Sequence, residues 1–232
     1  MYSFDSRVRY SETDDKGKMT LASILNYFQD CSTFHSEDIG VGIDYLNSIG
    51  CLWVLSGWQI RIERYPSLCE NIKISTFPYD FKGFLGYRNF LMEDEQGNKI
   101  AYANSIWTFL DRKTGHPGKV PEKLRNAYEL QERLLMEYEP RKITLPENGR
   151  AGESFQVKPY QIDSNHHVNN GQYVQMGMEY LPEGFQVRQM RAEYKKAALL
   201  NDTILPVIYE EEDRIAVSLN GENGTYAIVE FK

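Results

Sequence analysis

The chain has 232 residues, enough for one large domain or two small ones with a sizeable core. Its 41% hydrophobic and 25% charged residues are ordinary for a globular protein, and a formal net charge of −7 argues against a nucleic-acid-binding surface. Cys31, Cys51 and Cys69 form no CxxC pair, no run of about 18 apolar residues occurs, and Met1–Asp5 carries neither a basic nor an apolar leader; the expectation is reduced thiols, no membrane span, no signal peptide and a cytoplasmic location.

Residues 4–10 predict a short strand, followed by a polar turn over 12–18. Thr20 stands where it would cap a helix whose apolar positions, Leu21, Ile24, Leu25 and Phe28, recur at helical spacing up to about Gly40. A second short helix is expected over 43–49. From Leu52 the period changes to two, with Leu52, Val54, Trp58, Ile60 and Ile62 on one face and Gln59, Arg61 and Glu63 on the other, ending by Pro66. Strands over 72–79, 84–93 and 99–110 follow, the last two joined by a hairpin turn at 94–98. One helix followed by antiparallel strands describes a sheet wrapped on a single helix, so the fold class is α+β.

Residues 117–148 break this pattern. Pro117, Pro121, Pro140 and Pro146 surround a charged, helical-looking stretch over 122–139, which reads as an interdomain linker carrying a helix. The order then repeats: a strand over 155–160, a polar turn over 161–170, a helix bearing Tyr173, Met176 and Tyr180 that Asn169 would cap and Pro182 would end, and strands over 187–197, 203–210, 214–219 and 225–231. Asp163 follows Asp14 by 149 residues, and at that shift the two polar turns overlay. The expected organisation is an N-terminal unit over 1–117, a linker over 118–149 and a C-terminal unit over 150–232.

The segment richest in chemistry is Asp163-Ser-Asn165-His-His167-Val-Asn169-Asn170-Gly-Gln-Tyr173. Asp163, Asn165 and His167 alternate, so on an extended chain they share a side. Imidazole suits general-base work near neutrality, a carboxylate can orient or charge it, and a helix start offers backbone N–H donors to an oxyanion. The same residue types also favour turns and caps. A cap would be expected equally in both halves, yet at the matched places Asn165 becomes Lys16 and His167 becomes Lys18, while Asp14 remains. One active half fits that asymmetry better.

Asp163-x-Asn165-x-His167-Val-Asn169-Asn170-x-x-Tyr173 resembles the D-x-N-x-H-V-N-N-x-x-Y segment of acyl-acyl carrier protein thioesterases. Tyr10-Ser-Glu-Thr-Asp14, Leu25-Asn-Tyr-Phe-Gln29 with His35, Trp53-Val-Leu-Ser56, Gln59-Ile60, Pro66, Arg88-Asn-Phe-Leu91 and Ser105-Ile-Trp107 resemble the N-terminal part of that family. The resemblance covers about residues 4–200. It implies two tandem hotdog folds, hydrolysis of a fatty acyl-acyl carrier protein thioester, an acyl-binding first half and a catalytic second half in which Asp163, Asn165 and His167 carry the chemistry. The family commonly has Tyr-Arg-x-Glu-Cys after the second helix; here Tyr194-Lys-Lys-Ala197-Ala198 lacks both the acid and the thiol. Glu193 lies on the face of Ala197 but about 13 Å along the strand.

Leu25, Phe28, Trp53 and Trp58 are candidate walls of an acyl tunnel, with core packing as the alternative, and Asn169 and Asn170 are candidate substrate contacts. An acidic carrier protein would need a local basic patch, for which Arg188, Arg191, Lys195 and Lys196 are the candidates, with Arg141 and Lys142 as runners-up. No metal or cofactor is expected, His35 and His116 read as structural or surface histidines, and a homodimer is left open. The alternatives to carrier-protein thioester hydrolysis are an acyl-CoA thioesterase or other hotdog enzyme, and a non-catalytic acyl- or carrier-binding module.

Overall fold

A computed structural model describes all 232 residues, Met1–Lys232. The chain divides into two units: Met1–Ser56 with Ile60–Tyr138, and Gly57–Gln59 with Glu139–Lys232. The division falls inside the segment read as a linker.

In the first unit, strand β1 (Tyr2–Arg7) leads to helix α1 (Leu21–Asp38), the short helix α2 (Ile43–Ser48), then β2 (Cys51–Ile62), β3 (Asn71–Lys82), β4 (Leu85–Asp94) and β5 (Lys99–Asp111). The antiparallel order is β1-β3-β4-β5-β2. Thr20 caps α1 by accepting from the Ser23 N–H, as its position implied. Leu21, Ile24, Leu25, Phe28 and Cys31 are buried along one face of α1, which packs on β3. The Phe28 ring lies 5.3 Å from that of Phe90 on β4. Gly86, also on β4, leaves room for Trp53: a Cβ there would stand 3.1 Å from the indole.

The strict alternation expected in β2 is not found. Leu55 through Ile60 are all buried, including the polar Ser56 and Gln59, while Val54 is exposed. The helical stretch expected over 122–139 is also shorter, covering only Glu122–Ala127 (α3). Beyond it the chain runs without regular structure to residue 149, and side chains on strands take its backbone bonds. Leu134 donates to Asn89 Oδ1 at 3.0 Å, and Glu139 donates to Gln59 Oε1 at 3.0 Å. The second of these bonds gives the buried Gln59 its partner, and Ser56 finds its own in the Thr108 hydroxyl at 2.6 Å, so the polar residues of β2 are buried without being left unsatisfied.

In the second unit, the short strands β6 (Arg150–Ala151) and β7 (Phe155–Gln156) precede helix α4 (Asn170–Met178), then β8 (Gln189–Tyr194), β9 (Thr203–Glu211), β10 (Arg214–Gly221) and β11 (Gly224–Phe231). The order is β8-β11-β10-β9-β6, with β7 also on β9. Helix α4 is half the length of α1 and ends before Tyr180. Its buried face, Tyr173, Val174, Met176 and Gly177, packs on β10 and β11. Gly177 permits that approach, since a Cβ would meet the Phe231 ring at 3.2 Å.

Candidate active site

The loop before α4 is organised by its own backbone. A 3-10 turn over Pro159–Gln161 opens it, with Gln161 Oε1 accepting from Lys158 N–H at 2.8 Å. Ile162 bridges to Val168, and the Asp163 N–H donates to the His167 carbonyl at 2.8 Å. Asp163 Oδ1 accepts from the N–H of Asn165 at 2.7 Å and from that of His167 at 3.5 Å. His166 takes the left-handed conformation with φ 62°, and its side chain is exposed. Asn169 then caps α4, accepting from Gly171 N–H at 2.9 Å.

The first unit builds the same loop. A 3-10 turn over Tyr10–Glu12 opens it, Thr13 bridges to Met19, and Asp14 Oδ1 accepts from Lys16 and Lys18 at 2.9 and 2.8 Å. Gly17, with φ 69°, stands where His166 does. The match continues downstream. Met19 donates to the Pro66 carbonyl at 2.8 Å, and Val168 donates to the Ala198 carbonyl at 3.0 Å. Ser67 donates its N–H to Glu70 at 2.9 Å, and Leu199 donates to Asp202 at 2.9 Å. Cys69 and Asn201 both have positive φ, 67° and 70°. Duplicated geometry places Asp14 and Asp163 in one shared role, holding the turn. The asymmetry lies in what the turn presents: Lys16 and Lys18 in one unit, the exposed Asn165 and half-buried His167 in the other.

The helix start offers fewer donors than its sequence implied. The N–H groups of Val168, Asn169, Gly171 and Gln172 donate to Ala198 O, Gln161 O, Asn169 Oδ1 and Asn169 O respectively. Glu193 is buried and its Oε2 accepts from the Ile143 N–H at 3.0 Å, so its carboxylate serves the strap. Ala197 is exposed and Ala198 is buried beside the loop. Burial pushes the Cys31 thiol up to about 12. That keeps it inert.

The remaining candidate residues are placed as follows. Leu25 and Phe28 are fully buried on α1; Trp53 is half-buried, 5.0 Å from the Phe109 ring; Trp58 is buried. Asn170 is half-buried, and its carbonyl accepts from the Tyr194 hydroxyl at 3.0 Å. Lys195 and Lys196 are exposed, as is Arg188, which bonds Gln186 at 3.0 Å. Arg191 does not join them. It faces Glu230 across the β8–β11 ladder, is buried, and pairs with that carboxylate at 3.0 Å. It shares a face of β8 with Glu193 and is covered there by the strap, whose Pro140 and Lys142 carbonyls it bonds, with Glu230 as counter-ion. His35 is buried as well, and its Nδ1 lies 3.0 Å from Arg88 Nη1. A guanidinium only donates, so this ring is neutral; burial and Arg88 lower its pKa to about 4.

Acyl-ACP thioesterase N-terminal and C-terminal domain models match residues 1–128 and 144–227. The chain belongs to the acyl-ACP thioesterase family. It is 24% identical over 241 residues to oleoyl-acyl carrier protein thioesterase 2, chloroplastic, of Arabidopsis thaliana, covering 94% of this chain and 65% of that protein. It is 22% identical over 206 residues to the palmitoyl-acyl carrier protein thioesterase, chloroplastic, of the same plant, covering 82% and 50%. The chain thus spans between half and two thirds of these curated relatives. An acyl-ACP thioesterase structure from Bacteroides thetaiotaomicron superposes with a TM-score of 0.90 at 23% identity, covering 99% of this chain and 96% of that one. The 12:0-ACP thioesterase from Umbellularia californica gives 0.81 at 15%, covering 99% and 96%. The fold of this family member is therefore the tandem double hotdog, α+β.

Tyr173, the last residue of the motif, has a task that neither its type nor its spacing announces. Its hydroxyl accepts from the Ala198 N–H at 2.8 Å. The signal was available in retrospect: the matched pair in the first half is Ile24 and Pro66, a residue without a hydroxyl beside one without an N–H.

Proposed function

We propose that the chain hydrolyses a fatty acyl thioester borne on an acyl carrier protein, releasing the free acid and the carrier thiol. His167 takes a proton from water as its oxygen bonds to the thioester carbonyl carbon. The Asn165 side-chain amide donates to the oxyanion, the backbone amides of Val168, Asn169, Gly171 and Gln172 at the helix start being engaged elsewhere. The C–S bond then breaks and the imidazolium returns its proton to the departing sulfur. Asp163 acts through the loop backbone, and Asn169 and Asn170 border the substrate. Leu25, Phe28, Trp53 and Trp58 are proposed to contact the acyl chain, and Lys195, Lys196 and Arg188 to meet the carrier.

One observation carries this reading: two copies of a single loop scaffold, of which only the second presents an amide and an imidazole. Hydrolysis of carrier-bound and CoA-bound acyl chains by wild type and His167→Ala tests it. His167→Ala should lower kcat by about 10²–10⁴, the range of a lost general base; activity within twofold of wild type removes His167 from the chemistry. Ala197 and Ala198, standing where the family has its acid and thiol, favour one rival, a binding module without catalysis. Wild-type protein that binds acyl carrier but hydrolyses neither substrate would establish that rival.

A further inference from the structure

The two loop scaffolds differ in how they are tethered. In the first unit the inner tether is tight, with Lys18 N–H at 2.8 Å from Asp14 Oδ1. In the second unit the matching bond, from His167 N–H to Asp163 Oδ1, has lengthened to 3.5 Å. At that distance it contributes little. The residue bearing the imidazole is therefore held less firmly by its own turn than its counterpart is.

Both units tie the loop outward at the next residue, Met19 N–H to the Pro66 carbonyl at 2.8 Å in the first and Val168 N–H to the Ala198 carbonyl at 3.0 Å in the second. Only the second unit anchors that partner in turn. Ala198 donates its own N–H to the Tyr173 hydroxyl at 2.8 Å. Tyr173 is buried on the first turns of α4, and burial raises its phenol to about 12, so it remains a neutral hydroxyl. The Tyr194 hydroxyl ties back to the Asn170 carbonyl at 3.0 Å, and the two tyrosine rings meet edge-on with centroids 5.9 Å apart. Residues 194–198 and 168–173 are thus joined at both ends. At the matching place in the first unit Pro66 has no N–H to give and Ile24 has no hydroxyl to take it.

We infer that Tyr173 is a positioning residue for the hydrolysis: through Ala198 and Val168, its hydroxyl fixes the backbone that carries His167. The inference rests on the proposed function. A misplacement of about 1 Å at a reacting group can cost on the order of 10²-fold in rate, so a tether of this kind is felt in kcat before it is felt in substrate binding.

Three variants test it. Tyr173→Phe keeps the ring and removes the hydroxyl. Ala198→Pro removes the N–H and leaves the tyrosine, with a residue the first unit already accepts at its matching position. The third combines the two. Tyr173→Phe and Ala198→Pro should each lower kcat about tenfold or more, with KM for the acyl thioester within twofold of wild type. In the double variant no N–H is orphaned, so thermal stability should return toward wild type while kcat stays low. If kcat returns together with stability, Tyr173 merely satisfies a buried amide and the inference is overturned. It is overturned equally if either single variant keeps kcat within twofold. Should Tyr173→Phe fail to fold, Ala198→Pro alone decides by the same criterion. A wild-type protein with no hydrolysis sinks the proposed function instead, a result distinct from all of these.

Discussion

Asp14 and Asp163 each accept two backbone N–H bonds across a five-residue turn, one with Oδ1 distances of 2.9 and 2.8 Å, the other with 2.7 and 3.5 Å. Replacing either by alanine loosens the turn; these amides lie at or near the surface, where water can take the acceptor's place, so each well-made bond is worth about 0.5–1.5 kcal/mol. Asp14→Ala gives up two such bonds and Asp163→Ala one, so the first should lower the melting temperature at least as much as the second, and the two should differ in activity. Asp163→Ala should lose hydrolysis with the geometry of Asn165 and His167, whereas Asp14→Ala should keep it; comparable losses from both would mean that the first turn takes part in the chemistry. His35 supplies a separate prediction at this scale. Folding lowers its pKa from about 6.5 to about 4, so the unfolded chain binds more protons between those values. Its contribution is fully present above pH 6.5 and is lost as pH falls toward 4. A denaturation series over that window should show stability falling with acid, and His35→Gln should flatten the slope. An unchanged slope would assign the acid sensitivity to other groups.

At the scale of elements, the strap over residues 128–149 binds through strand side chains, and Glu193 illustrates its purpose. Its carboxylate accepts from the Ile143 N–H at 3.0 Å and lies 3.8 Å from Lys195 Nζ. Glu193→Ala should therefore destabilise by about 1–3 kcal/mol and leave kcat within twofold, as measured by denaturant melts beside the hydrolysis assay. A hundredfold loss of kcat in a folded variant would make Glu193 the stand-in for the family acid. This element also marks where the sequence was legible and where it was not. Helix α1 announced itself, because Leu21, Ile24, Leu25 and Phe28 repeat on one face behind a capping threonine. The loop motif did too, since Asp, Asn and His are chemical words as well as turn formers. The strap did not: its backbone bonds end on Asn89, Gln59 and Glu193, partners remote in sequence that no local pattern reports. For the same reason β2 lost its alternation, and Arg191, read from spacing as a surface cation, proved to be the buried partner of Glu230. The Tyr173–Ala198 bond escaped because a hydroxyl that serves one backbone amide leaves no periodic trace.

For the whole molecule, charge is the quantity that reaches a partner first. The chain carries a net −7, and an acyl carrier protein, acidic by its family character, would be repelled at long range by the average field. Productive encounter then depends on a local reversal of sign. With Arg191 spent on Glu230, the exposed cations after β8 reduce to Lys195 and Lys196, with Arg188 at the strand's other end. Lys195 and Lys196 adjoin Ala197 and Ala198, the stretch tied to the loop that bears His167. Reversing both lysines to glutamate should raise KM for carrier-bound substrate while sparing a small soluble thioester, because only the former brings its own acidic surface. The difference should shrink between low and high salt, since at about 1 M ionic strength the screening length falls to roughly 3 Å. Arg191→Ala offers the contrast: it removes one of the two cations on the buried Glu230, leaving Arg214, and takes the donor from the Pro140 and Lys142 carbonyls, so it should lower stability without discriminating between the two substrates. Equal losses on both substrates in the lysine variant would mean damage to the site itself, and the carrier would then dock elsewhere, with Arg141 and Lys142 as the next cations to reverse.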